Sequence, residues 1–544
     1  MGRPLRIALI VVAALVVVAI AALAAVPYVV DTPRIQALVA STATQALGRP
    51  VKFASVSVSV LPLPAVVLES LEVAEDPAFG KGAFVTVDEA QVRLKLWPLL
   101  LLRVELGTFV LEKPRISLVQ AADGRWNVST LGGHGAEAGT PPAKPSRGGG
   151  GAPSGAGAAA LLGSRVKIED GVVTYEARGA AAPTRYRVED VDLTLTGGAG
   201  GLAFTGNLRV EPGALAVKIA DGLLGVNGAR NVMEAPVRGK IALDGKNLGA
   251  LAAVAMGPEP GLSGSLKGAL ALGGTAGKPK ASGDVEVTGF GVTRTSPQCP
   301  EPRRRTLALG PVKSNVAWEE PRFTARPVST TLEGGTITAN VTAIVDRGVR
   351  AEVTDIAIKG APVEKVLVDF LCQGYAVTGP LDLTGNASVR TSDLWNSLGG
   401  NGQLRIGPGK IVGAQALALL NGVVRVGGAV SAILGGELPA GGLGSGLEYE
   451  SIAGTYTITN GVLSTRDLKL TSRVLNATVA GTYALASGSV NADVGVSARG
   501  TQLSARVTGP ASNPSIRVNP AATLRDVDPG KVEKGLQDLL RKFR

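Results

Sequence analysis

The pattern that most constrains this chain is an alternation of apolar and polar residues with period two, recurring over several hundred positions. Val56, Val58 and Val60 alternate with Ser55, Ser57 and Ser59, and Val191, Leu193 and Leu195 with Asp192, Thr194 and Thr196. Ile337, Ala339, Val341 and Ala343 alternate with Thr338, Asn340 and Thr342, and shorter runs follow at Ile356 and Ile358, Leu468 and Leu470, Val494 and Val496. Successive side chains of a strand point to opposite faces, so this pattern builds antiparallel sheet with one apolar and one polar face. Asp170-Gly171, Gly206-Asn207, Asp221-Gly222 and Asn460-Gly461 are turn-forming pairs, and hairpin turns are expected at each.

Composition narrows the function. The chain holds 73 glycines among 544 residues, with 4% aromatic and 18% charged residues, which suits strands and turns and not a disordered chain. The formal net charge of +11 raises the question of nucleic acid. The basic residues are scattered, with only Arg303-Arg304-Arg305 and the C-terminal tail clustered, and few aromatics accompany them, so no nucleic-acid partner is expected. A basic surface facing anionic lipid headgroups and a merely solvated basic surface both account for the charge.

His134 is the single histidine, which removes histidine acid–base pairs, histidine-containing triads and multi-histidine metal sites. No phosphate loop, nucleophile motif or carboxylate cluster stands out, and Gly197 to Gly201 lacks a dinucleotide fingerprint. A non-enzyme without cofactor or metal is the expectation. Cys299 and Cys372 are the only cysteines; a disulfide is chemically permitted, and their spacing does not say whether it forms.

Ile7 to Val26 contains no polar side chain. A helix of that length spans about 30 Å, the hydrocarbon thickness of a bilayer. Signal-peptide apolar cores run only about 7 to 15 residues, so a retained anchor is expected rather than a cleaved leader. Arg3 and Arg6 precede it, which leaves residues 1–6 as a cytoplasmic stub, 7–26 as the transmembrane helix and the body outside.

Beyond the anchor, Thr32-Pro33 looks like a helix start, Ile35, Leu38, Val39 and Ala46 recur at helical spacing, and Gly48 is placed to end the helix. Residues 31–131 read as a first β region, 132–160 as a Gly- and Pro-rich linker, and 161–528 as a long second β region. Ala414 to Leu434 reads as a buried helix, because Asn421 and Arg425 argue against a second span. Residues 529–544 place Leu536, Leu539, Leu540 and Phe543 on one face of a basic helix. That arrangement fits an interfacial membrane contact and equally a terminal helix packed on the last strands.

The first 130 residues carry an ordered set of short motifs: the anchor, Gly48-Arg49-Pro50-Val51, Asp76-Pro77-Ala78-Phe79-Gly80, Trp97-Pro98-Leu99-Leu100, Leu111-Glu112-Lys113-Pro114-Arg115-Ile116 and Asp123-Gly124-Arg125-Trp126-Asn127. In this set and its order the region resembles the AsmA family of Gram-negative envelope proteins. Ile168 to Tyr175, Gly399 to Gly413 and Tyr456 to Leu463 are similar to later parts of such proteins, more loosely. The resemblance implies a periplasmic body of successive strands forming a long curved groove with an apolar lining, which carries phospholipid between membranes. It supplies no catalytic residues.

The resulting fold expectation is mainly β: an N-terminal transmembrane helix, then an elongated, curved antiparallel sheet groove with a few short helices. The functional expectation is an inner-membrane, single-pass protein with a cytoplasmic N-terminus, whose periplasmic groove moves phospholipid toward the outer membrane and supports envelope integrity. Val56, Val58, Val60, Leu193, Leu195, Ile337 and Val341 are the candidate lining residues. Alternation alone does not separate such a groove from a dry sandwich core. The alternative is an envelope scaffold or outer-membrane protein assembly factor that uses strand edges and carries no lipid.

Overall fold

The computed structural model describes residues 33–59, 65–94, 106–131, 165–178, 184–226, 232–256, 261–297, 299–345, 348–372, 377–412, 447–498, 501–510 and 514–518. The expected anchor at 7–26, the Trp97 to Leu100 motif, the 132–160 linker, the 414–434 helix and the C-terminal helix lie outside them, as does Val60. Among the described residues no helix is long and apolar enough to cross a membrane. The chain divides into two compact units, Met1–Val254 with Lys267–Ala281, and Ala255–Leu266 with Ser282–Arg544.

The first unit opens with helix α1 (Pro33–Leu47). Gly48 ends it as its sequence position suggests, at φ 68° and with its N–H donated to Thr44 O at 2.9 Å. Ala43 and Leu47 pack on a cluster of Val51, Val73 and Phe84, so the apolar side of α1 covers the first strands. Those strands are β1 (Val51–Lys52), β2 (Ser55–Ser59), β3 (Ala65–Ala74) and β4 (Ala83–Leu94), paired antiparallel through β3. β5 (Leu106–Glu112) and β6 (Arg115–Gln120) both lie antiparallel to β4, like one strand interrupted at Lys113-Pro114.

β7 (Arg165–Ala177) then runs parallel to both β5 and β6. The sheet is therefore mixed, a correction to the all-antiparallel expectation. A parallel neighbour needs a crossover of a dozen or more residues, and the chain between Gln120 and Arg165 is long enough to make one. β8 (Thr184–Gly198), β9 (Gly201–Glu211), β10 (Leu215–Leu224) and β11 (Val237–Gly245) follow as antiparallel neighbours, and α2 (Leu248–Met256) comes next.

β12 (Leu262–Thr275) and β13 (Lys278–Thr295) contribute residues to both units. In the second unit come β14 (Arg304–Ala308), β15 (Val312–Glu319), β16 (Arg322–Leu332), β17 (Gly335–Val345), β18 (Val349–Pro362) and β19 (Pro380–Arg390). A short helix α3 (Leu394–Ser397) leads to β20 (Gly399–Ile406) and β21 (Gly409–Ile411). The chain ends in β22 (Leu447–Tyr449), β23 (Ser451–Thr459), β24 (Val462–Thr471), β25 (Asn476–Ala484), β26 (Ser489–Ala498), β27 (Thr501–Pro510) and β28 (Ser515–Val518). β15 to β20 pair successively and antiparallel, β20 pairs with β23, and the succession resumes to β28, while β21 and β22 form a separate two-stranded sheet.

The buried core of this unit is local. Ile406, Ile411, Leu447, Tyr449, Leu475, Val494, Val496 and Val507 gather around the small sheet. Cys299 and Cys372 are disulfide-bonded with Cα atoms 5.4 Å apart, which settles the pairing that their spacing leaves open.

The turn pairs divide. Asn460-Gly461 makes the β23–β24 hairpin turn as expected. Asp170-Gly171, Gly206-Asn207 and Asp221-Gly222 instead lie inside β7, β9 and β10. Asp170 and Asp221 do take positive φ, 54° and 52°, but they sit where the register shifts. A β-bulge makes the same backbone demand as a tight turn, so sequence alone does not separate the two.

Candidate functional site

Directly opposed residues of adjacent strands put their side chains on the same face. In the first unit, Val56 faces Leu68, Leu68 faces Ala90, Ala90 faces Leu111, Leu111 faces Ile168 and Ile168 faces Leu193. The row continues through Gly206 and Ile219 to Ile241. Two residues along each strand, a second row on the same face joins Val66, Val92, Phe109, Val166, Leu195 and Phe204, and Val58 stands opposite Val66 in the register. The registers thus bring Val56 and Leu193 into one row and Leu195 into the next, although the sequence separates them by over a hundred residues.

Burial distinguishes this face from a sealed core. Val56 and Ala90 are buried, but Leu68, Leu111, Ile168, Leu193, Leu195 and Phe204 all remain partly exposed. A sandwich interior would withdraw such residues from solvent almost completely. The second unit repeats the arrangement. Ile337 faces Ile358, which faces Leu383, which faces Leu404, and Val341 faces Val353, which faces Ala387. All of these are partly exposed. Ile337 and Val341 share one side of β17, and at Ile406 the face passes into the buried cluster around β21 and β22.

Glycines let rings lie flat on these faces. A Cβ added at Gly402 would stand 2.7 Å from Tyr456 Oη, and one at Gly385 would stand 2.8 Å from it, so the phenol of Tyr456 reaches from β23 across β20 towards β19. In the first unit a Cβ at Gly222 would meet the Phe204 ring at 2.6 Å. Side chains at these glycines would force the rings up into the space above the sheet.

The opposite face of the first unit holds a feature that sequence reasoning missed. Glu69, Glu89, Glu112 and Glu169 stand in one row across β3, β4, β5 and β7. Like charges so placed repel. Gln91 Nε2 donates to Glu89 at 2.9 Å and to Glu112 at 3.1 Å, and Lys167 pairs with Glu169. These residues lie some twenty or more apart in sequence, so spacing gave no sign of the row. Among the described residues no group of three or more potential ligands could hold a metal ion.

The short motifs of the first 130 residues converge on a structural lock. Arg49, Glu75 and Asn127 are nearly sealed from solvent, at 4%, 7% and 0% exposure. Arg49 Nη1 lies 3.2 Å from Glu75 Oε1, its Nη2 donates to the Asn127 carbonyl, and its guanidinium stands 4.9 Å above the Phe84 ring. Asn127 Nδ2 donates to Glu75 Oε2 at 2.7 Å and to Ser117 O at 2.8 Å, while its Oδ1 accepts from Val119 N–H at 3.0 Å. Trp126 stacks on Tyr175 at 5.5 Å, and Arg178 Nη1 donates to Phe79 O at 2.6 Å. The motifs therefore fasten the end of α1 to the sheet.

In the second unit, Tyr449 donates its hydroxyl to Thr378 O at 2.6 Å, and burial, with the nearby Glu364 carboxylate, pushes its pKa up to about 12. Leu536, Leu539, Leu540 and Phe543 lie outside the described residues.

Fold and surface together define a mainly β protein whose strands present partly open apolar faces. Residues 1–255 match the model of the AsmA family, so over this region the resemblance drawn from the motifs holds. No curated protein and no solved structure matches the chain.

Proposed function

We propose that the protein binds phospholipid acyl chains on its apolar sheet faces and passes lipid from the inner membrane toward the outer membrane. The observation that carries this reading is the partial exposure of cross-strand apolar rows in both units, from Leu68 to Leu195 and from Ile337 to Leu404. Acyl chains suit such a surface, since each buried methylene is worth about 0.8 kcal/mol and no directional contact is required. Ten methylenes laid on the face would gain about 8 kcal/mol before ordering costs. The role is carriage without catalysis.

Three further features support a periplasmic body on an inner-membrane anchor. Ile7 to Val26 has the length and composition of a span, the Cys299–Cys372 disulfide suits an oxidising compartment, and residues 1–255 match the AsmA family, which the motifs resemble. Native mass spectrometry with lipid extraction on residues 31–544 tests the reading. Co-purifying phospholipid is the expected result. A lipid-free, stably folded body would overturn it and favour the scaffold.

A further inference from the structure

One end of the second unit's strands carries an unusual surface. Trp395 is 54% exposed, Leu394 46%, Val345 42% and Val462 37%. All four stand where β17 and β19 end and β24 begins. The tip that carries Trp395 is held firmly. Ser397 Oγ accepts from Arg390 N–H at 2.9 Å and donates to Arg390 O at 3.2 Å, and Gly461 N–H donates to Leu398 O at 2.8 Å. A Cβ at Gly461 would stand 2.1 Å from Trp395 O, so the tip packs directly on the β23–β24 turn.

Beside it, a rung near this end of the sheet is basic. Arg322 faces Ile344, Ile344 faces Arg350 and Arg350 faces Arg390, a single cross-strand row in which all three arginines are exposed. Arg350 and Arg390 are directly opposed, an arrangement that costs stability unless an anion lies between them. Among the described residues none of the three guanidiniums has a hydrogen bond or ion pair. The nearby carboxylate of Asp393 accepts instead from Asn396 Nδ2 at 2.9 Å.

We infer that this strand end docks on an anionic phospholipid bilayer, with Leu394 and Trp395 entering the interfacial layer and Arg322, Arg350 and Arg390 meeting the phosphates. Tryptophan and leucine on a fixed tip suit the interface, where an apolar body and a polar edge are both satisfied. Guanidiniums without a partner among the described residues, at the same strand end as the tip, match the phosphate layer in charge. A folded protein partner would meet the apolar tip but leave the opposed arginines uncompensated unless it were acidic. The inference goes beyond lipid carriage and stands without it.

The test uses the full-length protein held in neutral phosphatidylcholine nanodiscs and mixed with dye-labelled vesicles of phosphatidylcholine, alone or with phosphatidylglycerol. Capture of the anionic vesicles is expected. The double variant Leu394→Ser/Trp395→Ser lowers it by about tenfold or more. Arg350→Gln/Arg390→Gln lowers it by about fivefold per arginine and removes the preference for anionic vesicles. All four positions are exposed, so melting curves should match the parent, and lipid extracted from the same samples should be unchanged, which separates docking from carriage. Undiminished capture by both variants would place the contact elsewhere, for instance in residues 529–544, and overturn the inference. Failure of the parent protein to capture either vesicle would do the same.

Discussion

Leu193→Asp puts a carboxylate in the middle of the first unit's apolar row, between Ile168 and Gly206. Leu193 is partly exposed, so the fold loses only part of a leucine's burial, about 1 to 2 kcal/mol. The same change in a sealed core would cost more than about 4 kcal/mol, because an unpaired charge would be buried. An acyl chain crossing the site would lose contact with about four methylenes, roughly 3 kcal/mol, or on the order of a hundredfold in occupancy there. The assay is phospholipid per protein after extraction, alongside a thermal melt, with Thr194→Asp on the other face as control. The expected outcome is a melt lowered by a few degrees and a large loss of lipid in the Leu193 variant alone. Collapse of the fold, or unchanged lipid on an intact fold, would refute the reasoning.

Three other perturbations follow from the geometry. Asn127→Ala strips Glu75, Ser117 O and Val119 N–H of buried partners and should destabilise the first unit by about 3 to 5 kcal/mol, read from urea unfolding. Replacing Cys299 and Cys372 by serine opens a link across 73 residues, and the loop-entropy relation gives a loss of about 4 kcal/mol in the second unit; the parent under reducing conditions should match the variant. Tyr449 has its pKa raised to about 12, so the folded state holds the phenol proton more tightly than the unfolded chain. Its contribution is complete below the unfolded value near 10 and is lost as pH rises through about 12, so alkaline melts should fall in that window and Tyr449→Phe should flatten the fall.

Much of the strand architecture was legible in the sequence because alternation reports a local property, which side of a strand each residue takes. Ser55 to Ser59, Val191 to Leu195 and Ile337 to Ala343 all lie in strands. Helix α1 was legible through its helical spacing and Gly48. The parallel placement of β7 was not, since strand direction depends on the connection and not on the strand's own residues. Asp170 and Asp221 misled because a bulge and a turn ask for the same φ. Of the site, the residue type was readable and the register was not. Nothing in the spacing says that Leu111 meets Ile168, or that four glutamates stand abreast on the other face. The family motifs pointed to identity, and their chemistry proves structural: Arg49 and Asn127 hold a helix to a sheet.

Site-specific photocrosslinking of the full-length protein in intact cells tests the central claim most directly. A photoreactive phenylalanine analogue is placed in turn at Leu193 and Leu383 on the apolar faces, and at Thr194 and Thr384 one residue along. Phospholipid adducts at Leu193 and Leu383 and none at their neighbours are the predicted result. Adducts at all four positions alike, or at none of them, would contradict it.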